Sequence, residues 1–277
     1  MPAVNSPTPL PALFVPHGAP TFALRPGAAG ASLARAVARL PRPRAIIVVS
    51  AHWETTVPTV GIAPRLDTIH DFSGFPRELY ALRYPATGCP EAAREVAAAI
   101  AAAGLPVTED AVRGLDHGAW VPLRLMFPDA DVPVVPLSIQ PHAGPAHALA
   151  LGRALAGLRS RGFLLVASGN LTHNLRDYFV AVQTGGRTPD YVREFAEWVW
   201  DRLAAHDPQA LLDYRTRAAS AVRAHPTEEH LLPLYVALGA AGPEFEAERI
   251  HSGIDDYVLA IDAFTFSSPA AAQPQTH

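Results

Sequence analysis

Twelve histidines are spread along the 277 residues, and three of them stand just beyond short apolar runs. The run at 11–15 (PALFV) leads into Pro16-His17-Gly18-Ala19-Pro20. The run at 44–50 (RAIIVVS) leads into Ala51-His52-Trp53-Glu54, and the run at 163–168 (FLLVAS) leads into Gly169-Asn170-Leu171-Thr172-His173-Asn174. A neutral imidazole binds a metal ion through one ring nitrogen and is the commonest protein ligand for one. A single histidine more often closes a structural hydrogen bond, but three at equivalent places read as a cluster. Two more lie in loop or helix-start contexts: His117 in 114–120 (GLDHGAW) and His230 in 224–234 (AHPTEEHLLPL). Thr227 reads as a helix N-cap, which puts His230 in a first helical turn. Other chemistries lack their motifs. There is no G-x-S-x-G elbow, H-E-x-x-H helix, phosphate-binding G-x-x-x-x-G-K-[ST] or strand-linked G-x-G-x-x-G. Ser50 and His52 share one face of an extended strand without forming a catalytic pair, and Ser168 in 166–171 (VASGNL) is a poor nucleophile elbow.

The elements that must position these residues alternate in type. Apolar, β-branched runs at 11–15, 44–50, 57–63, 132–139, 163–168 and 257–266 read as buried strands. Helical periodicity covers 31–40, 91–104, 145–162, 189–206 and 227–242. Pro145 and Pro189 suit first-turn positions, and Gly104, Gly162 and Gly242 suit C-terminal stops. The alternation predicts an α/β fold: a single-domain, three-layer α/β/α sandwich around a mostly parallel sheet, mixed because strand-like sequence follows residue 243. In such sheets, ligands bind beyond the carboxyl ends of the strands, where the histidines stand. Residues 1–10 and 267–277 are rich in Pro, Ser, Ala and Gln and are expected to fray. No linker, repeat or charge block divides the rest, so one catalytic domain is expected over residues 1–277.

Composition narrows the class. Hydrophobic residues make up 49% and charged residues 17% of the chain, the balance of a folded enzyme. A net charge of -4 gives no electrostatic case for nucleic acid or an anionic membrane. No run approaches the roughly 18 apolar residues of a membrane span. The opening residues carry no basic region followed by a long apolar run, so no secretory signal is expected. The only cysteine, Cys89, precludes an intramolecular disulfide and fits a reducing cytoplasm.

The motifs PHGAP, SAHWE, LDHGAWVPL, SGNLTHNL and HPTEEHLLPL, in this order and spacing, resemble those of class III extradiol ring-cleavage dioxygenases. Within that class they are similar to the 4,5-DOPA extradiol dioxygenase branch, related to the catalytic subunit of protocatechuate 4,5-dioxygenase. The resemblance runs from about residue 11 to residue 265. It implies an α/β fold with one divalent metal, held by His17 of PHGAP, His52 of SAHWE and His230 of HPTEEHLLPL. It further implies that His173 is the acid–base residue beside the metal, itself touching the ion when no substrate is bound, and that His117 contacts substrate. One departure stands out. In the ring-cleaving subunit of the wider class the third ligand is a glutamate, whereas His230 occupies that place here, with Glu229 beside it.

The activity so implied is opening of a catechol ring, as in DOPA, by O2 to a muconate semialdehyde. Electron exchange between catechol and oxygen calls for Fe(II), while three histidines and an open position are also a common catalytic zinc set, so zinc is the ion expected in isolated protein. Trp53, Trp120 and Phe72 are candidate pocket walls. Arg65, Arg77, Arg83 and Arg124 are candidate partners for a substrate carboxylate. The competing reading is a zinc hydrolase, amidase- or peptidase-like, with Glu54 as the base that activates water; another is a metal-binding scaffold without catalysis.

Overall fold

The computed structural model describes residues 8–269. Ten strands are β1 (Ala12–Pro16), β2 (Ala45–Glu54), β3 (Thr59–Gly61), β4 (Thr108–Asp110), β5 (Val134–Ile139), β6 (Phe163–Gly169), β7 (Glu246–His251), β8 (Ile254–Asp255), β9 (Leu259–Ala260) and β10 (Ala263–Ser267). Eight of them form one sheet in the order β4-β3-β5-β2-β6-β1-β10-β7, and β8 and β9 make a separate hairpin. The central strands β5, β2, β6 and β1 run parallel, while β10 and β7 add antiparallel at one edge. The mixed, mostly parallel sheet expected from the alternating pattern is therefore present. Ile46 to Val49 and Phe163 to Ala167 are buried at every position, as strands covered on both faces must be.

The seven longer helices are α1 (Gly27–Ala38), α2 (Pro90–Ala102), α3 (His117–Met126), α4 (Gly144–Leu155), α5 (Leu175–Thr184), α6 (Asp190–Ala204) and α7 (Leu232–Ala241). α1 and α3 pack on each other, and α3 packs on β2 and β6. On the other face α4 packs on α7, which lies against β1, β2 and β6. All ten residues of α7 are buried. Its backbone meets that of α4 so closely that a Cβ on Gly239 would lie 2.1 Å from the Leu149 carbonyl oxygen. No helix is long and apolar enough to cross a membrane among the described residues.

Register explains why the ends of three strands meet. Ser168 of β6 pairs with Val15 of β1 on one side and Ser50 of β2 on the other. The carboxyl ends of β1, β6 and β2 therefore lie in one line, and His17, His52 and the segment to His173 leave the sheet side by side.

Several boundaries differ from the periodicity. β2 continues through His52 to Glu54; its pairing with β5 breaks after Val49 and resumes at Glu54, so the histidine sits on an irregular stretch of strand. The run at 257–266 divides between β9 and β10. α1 begins four residues before the predicted 31, at Gly27, and Pro189 is the N-cap of α6 rather than its first turn. The predicted helix 227–242 begins only at Leu232. Thr227 caps nothing: its hydroxyl donates to Glu229 Oε1 (3.0 Å), and the amides of Leu231 and Leu232 both donate to the Glu228 carbonyl in a tight turn. The His230 carbonyl accepts from Asn170 N–H (3.1 Å) at the β6 exit, a contact that a continuing helix would forbid. Of the ends expected to fray, residues 1–7 and 270–277 lie outside the described residues. The inner margins are built in: Leu10 is buried, its carbonyl accepting from Arg159 Nε (2.5 Å), and Ser267 closes β10.

His225 is the buried histidine that serves structure. It is wholly buried, its Nε2–H donates to the Leu171 carbonyl (2.7 Å), and Nδ1 has no partner. Burial, only partly offset by that bond, lowers its pKa from 6.5 to about 3. The unfolded chain therefore binds the proton preferentially: the stability is intact above about pH 6.5 and is lost as pH falls towards 3. His225→Phe should cost about 1–3 kcal/mol at neutral pH through the lost bond. The same change should remove about 2 kcal/mol of the acid destabilisation between pH 6.5 and roughly pH 5. Urea denaturation at the two pH values checks this; an unchanged acid slope in the variant contradicts it.

Candidate metal centre

The structure brings all five sequence-singled histidines to the carboxyl edge of the sheet. His17, on the turn after β1, is fully buried. Gly18 takes a left-handed φ of +60° there, and its N–H donates to Asn170 Oδ1 (3.2 Å). That bond turns Asn170 Nδ2 towards His17 Nε2 (3.4 Å), leaving the Nε2 lone pair as acceptor and His17 Nδ1–H to donate to Ser168 Oγ (2.9 Å). His230 Nδ1–H donates to Glu229 Oε1 (3.0 Å), because a carboxylate can only accept; its Nε2 is bare. His52 turns Nδ1 towards Asp71 Oδ2, 3.6 Å away. Its backbone N–H donates to Ser50 Oγ (3.1 Å), which itself donates to Asp116 Oδ1 (2.5 Å).

The three Nε2 atoms converge, with 3.1 Å between His52 and His17 and 3.3 Å between His52 and His230. Nitrogens bound to one ion at about 2.0–2.1 Å in tetrahedral array stand roughly 3.3 Å apart, so the donor set fits a divalent cation. The outer nitrogens of His17 and His230 are hydrogen-bonded to oxygens, the arrangement that fixes tautomer and ring direction around a metal, and that of His52 faces a carboxylate oxygen. The Glu229 carboxylate is not a fourth member of the set; it orients His230 from behind.

His173 stacks on His230 with ring centroids 3.4 Å apart and planes 9° from parallel. His117 is the first residue of α3, capped by Asp116, whose side chain accepts from Ala119 N–H. Its own N–H and Nδ1–H donate to the two oxygens of Asp71 (2.8 and 2.9 Å), and its ring lies 4.1 Å from that of His52. Burial, then mutual repulsion, sets the electrostatics. His17 and His230 are pushed far below the usual histidine range, and His52 and His173 down to about 3. Burial would raise Asp71, but the hydrogen bonds from His117 outweigh it and hold the carboxylate at about 2. At neutral pH His17, His52, His173 and His230 are therefore uncharged beside an ionised Asp71.

A cavity of about 570 Å³ opens over this floor. Phe72 lines it, as expected. Trp53 and Trp120 do not: Trp120 is buried with Nε1–H on the Ile69 carbonyl (3.0 Å), and Trp53 lies under the Arg113 guanidinium (5.1 Å). None of Arg65, Arg77, Arg83 and Arg124 reaches the cavity; Arg83 and Arg124 spend their donors on the carbonyls of Tyr80, Leu82 and Ala23. Glu54 is exposed at the end of β2 and does not line the cavity, which leaves the hydrolase reading without its base. Cys89 is the N-cap of α2, also away from the cavity.

Sequence reasoning missed Asp71, which no motif marks. It also missed α5 as a wall and read Ser168 only as a failed nucleophile, although Ser168 aims His17. Gly118 is a further hidden requirement. A Cβ there would lie 2.4 Å from Ser50 Oγ and 2.8 Å from His52 Cδ2. Gly118→Ala should therefore displace His52 and destabilise the fold by about 1–3 kcal/mol, read as a lowered urea midpoint; an unchanged midpoint would contradict the packing described.

Comparison with known proteins agrees with this geometry. Residues 25–259 match the family model described as the catalytic LigB subunit of aromatic ring-opening dioxygenase. The chain is 39% identical over 259 residues to a 4,5-DOPA dioxygenase extradiol of Beta vulgaris, covering 92% of this chain and 96% of that protein. It is 41% identical over 243 residues to the protein of the same name from Escherichia coli K12, covering 86% and 87%. The crystal structure of an uncharacterised Escherichia coli K12 protein superposes with a TM-score of 0.76 at 33% identity, over 92% of this chain and 99% of that one. With its matching sheet and its buried histidine triad, the chain belongs to the LigB family of aromatic ring-opening dioxygenases and is a metal-dependent extradiol ring-cleavage enzyme.

Proposed function

We propose that His17, His52 and His230 hold one divalent ion, that Fe(II) is the active metal, and that a catechol is opened by O2 to a muconate semialdehyde that then cyclises. The convergence of three Nε2 atoms whose lone pairs turn inward carries this reading. Three neutral lone pairs within 4.8 Å of one another, those of His17 and His230 lying 3.1 and 3.3 Å from that of His52, repel unless a cation lies among them. Fe(II) at this centre supplies the open positions and the redox change that let a catecholate and O2 exchange electrons; Zn(II) fits the same nitrogens but supplies no redox change.

The chain's own residues supply the proton steps. His173 is uncharged at neutral pH because burial lowers its pKa to about 3, so it can accept a catechol proton and return it during ring opening. Its stacking on His230 holds it beside the ligand set without adding a fourth nitrogen to the convergent three. His117 presents Nε2 to the cavity because Asp71 engages Nδ1. It thereby accepts a hydrogen bond from the second catechol hydroxyl and fixes the ring's orientation. Phe72 and the α5 side chains give the reacting face an apolar surround.

Metal-stripped protein reloaded anaerobically with Fe(II) should, on an oxygen pulse with a catechol panel, consume one O2 per ring opened and give a yellow product. The Zn(II)-loaded protein should consume none; equal turnover with the two ions overturns the assignment. His230→Ala should lose bound metal in elemental analysis. His173→Ala should retain it while kcat falls by about 10²–10⁴, and normal turnover of that variant would remove His173 from the proton steps.

A further inference from the structure

The wall of the cavity facing the histidine floor is apolar along its length. α5 presents Leu175, Tyr178, Phe179 and Val182 to it, the i, i+3, i+4, i+7 stripe of one helix face. Of α5 only Ala181 is buried. Leu175, Phe179 and Val182 are left 51%, 55% and 51% exposed. An apolar stripe open to water beside a reacting centre is a surface that a ligand covers. Phe72, Phe75 and Leu259 continue it across the cavity.

Charge is absent from this wall. Among the described residues, no Arg, Asp or Glu lines the cavity. On the α5 side Asp256 and Asp255 act with burial to push the Tyr178 hydroxyl upward, and Arg25 acts on Asp256 in turn. A substrate carboxylate seated against α5 would leave water for carbon, with no cation among the lining residues to pair it. The cavity volume of about 570 Å³ lies in the range of sites that enclose drug-sized ligands, well beyond a bare catechol ring.

We infer that this cavity selects catechols bearing an uncharged, apolar ring substituent of several carbons, seated against Leu175, Phe179 and Val182, over catechols bearing a carboxylate. This rests on the proposed metal centre for the placement of the ring, and it departs from the substrate in the names of the relatives. The substituent lies on α5 while the two hydroxyls face the histidines. Each methylene that α5 covers adds about fourfold in affinity, and the carboxylate and ammonium of DOPA, neither paired by a lining residue, both lose hydration there.

Calorimetric titration of the Zn(II)-loaded protein with 4-butylcatechol and with L-DOPA reads the wall without turnover. The expected result is at least about tenfold tighter binding of 4-butylcatechol, two covered methylenes sufficing. The same order is expected in kcat/KM by oxygen uptake of the Fe(II)-loaded protein. Val182→Arg, at a half-exposed position, should narrow the ratio by improving L-DOPA binding. L-DOPA bound or turned over as well as 4-butylcatechol overturns the inference while leaving the metal centre intact. A calorimetric preference for 4-butylcatechol with no catechol opened by the Fe(II) protein overturns the metal centre and leaves the wall standing.

Discussion

Parallel pairing of β1, β6 and β2 in one register places three chain exits on a single edge, and the site is built on that line. Backbone hydrogen bonds along the ladder fix Val15, Ser168 and Ser50 opposite one another. The two serines then do a second task. Ser168 accepts from His17, and Ser50 joins the His52 backbone to the Asp116 cap of α3. A one-residue slip of β6 against either neighbour would turn Ser168 to the opposite face and release His17. The first two nitrogens of the centre therefore depend on sheet register more than on any loop.

The third nitrogen arrives differently. His230 comes from a tight turn whose carbonyl is captured by the Asn170 amide just past the end of β6. Gly169 permits that approach, since a Cβ there would lie 2.1 Å from the His230 carbonyl oxygen. His17, His52, His173 and His230 resist protonation, because burial lowers each of them first and repulsion from neighbouring histidines lowers them further. That resistance keeps the lone pairs available, and Ser168 with Asn170, Asp71 and Glu229 decide which nitrogen carries the hydrogen in His17, His117 and His230 respectively. Neutral imidazoles with bare Nε2 atoms are what a divalent cation needs, and a neutral His173 is what a catechol proton needs.

The C-terminal segment completes the enclosure. Thr172 both donates to the Val258 carbonyl (2.7 Å) and accepts from Ala260 N–H (2.8 Å), which pins the β8–β9 hairpin to the strand exit and carries Leu259 into the cavity. Opposite it, α5 leaves most of its apolar stripe uncovered. A rigid, polar floor thus faces an apolar wall held by few contacts, a division that lets the floor fix the hydroxyls while the wall discriminates among substituents.

Much of this was legible in the chain. Apolar runs bounded by Pro, Gly and Ser marked the central strands, glycines marked helix ends, and His17, His52 and His173 could be singled out because strand exits in parallel sheets are where ligands bind, with His117 and His230 added from loop and helix-start contexts. Sequence patterns of this kind are local, and they report what lies within a few residues. Long-range events decided the rest. The 227–242 periodicity predicted a helix from Thr227, but the capture of the His230 carbonyl across the molecule held that stretch in a turn. Asp71 carries no motif, and its importance follows only from meeting His117, 46 residues away. The four arginines looked available in sequence, yet none lines the cavity, and packing committed the donors of Arg83 and Arg124 to carbonyls elsewhere. Residue identity set which groups could bind a metal or move a proton. The tertiary structure decided which nitrogen of each ring faces inward and which residues form the wall, because both are fixed by contacts between segments far apart in the chain.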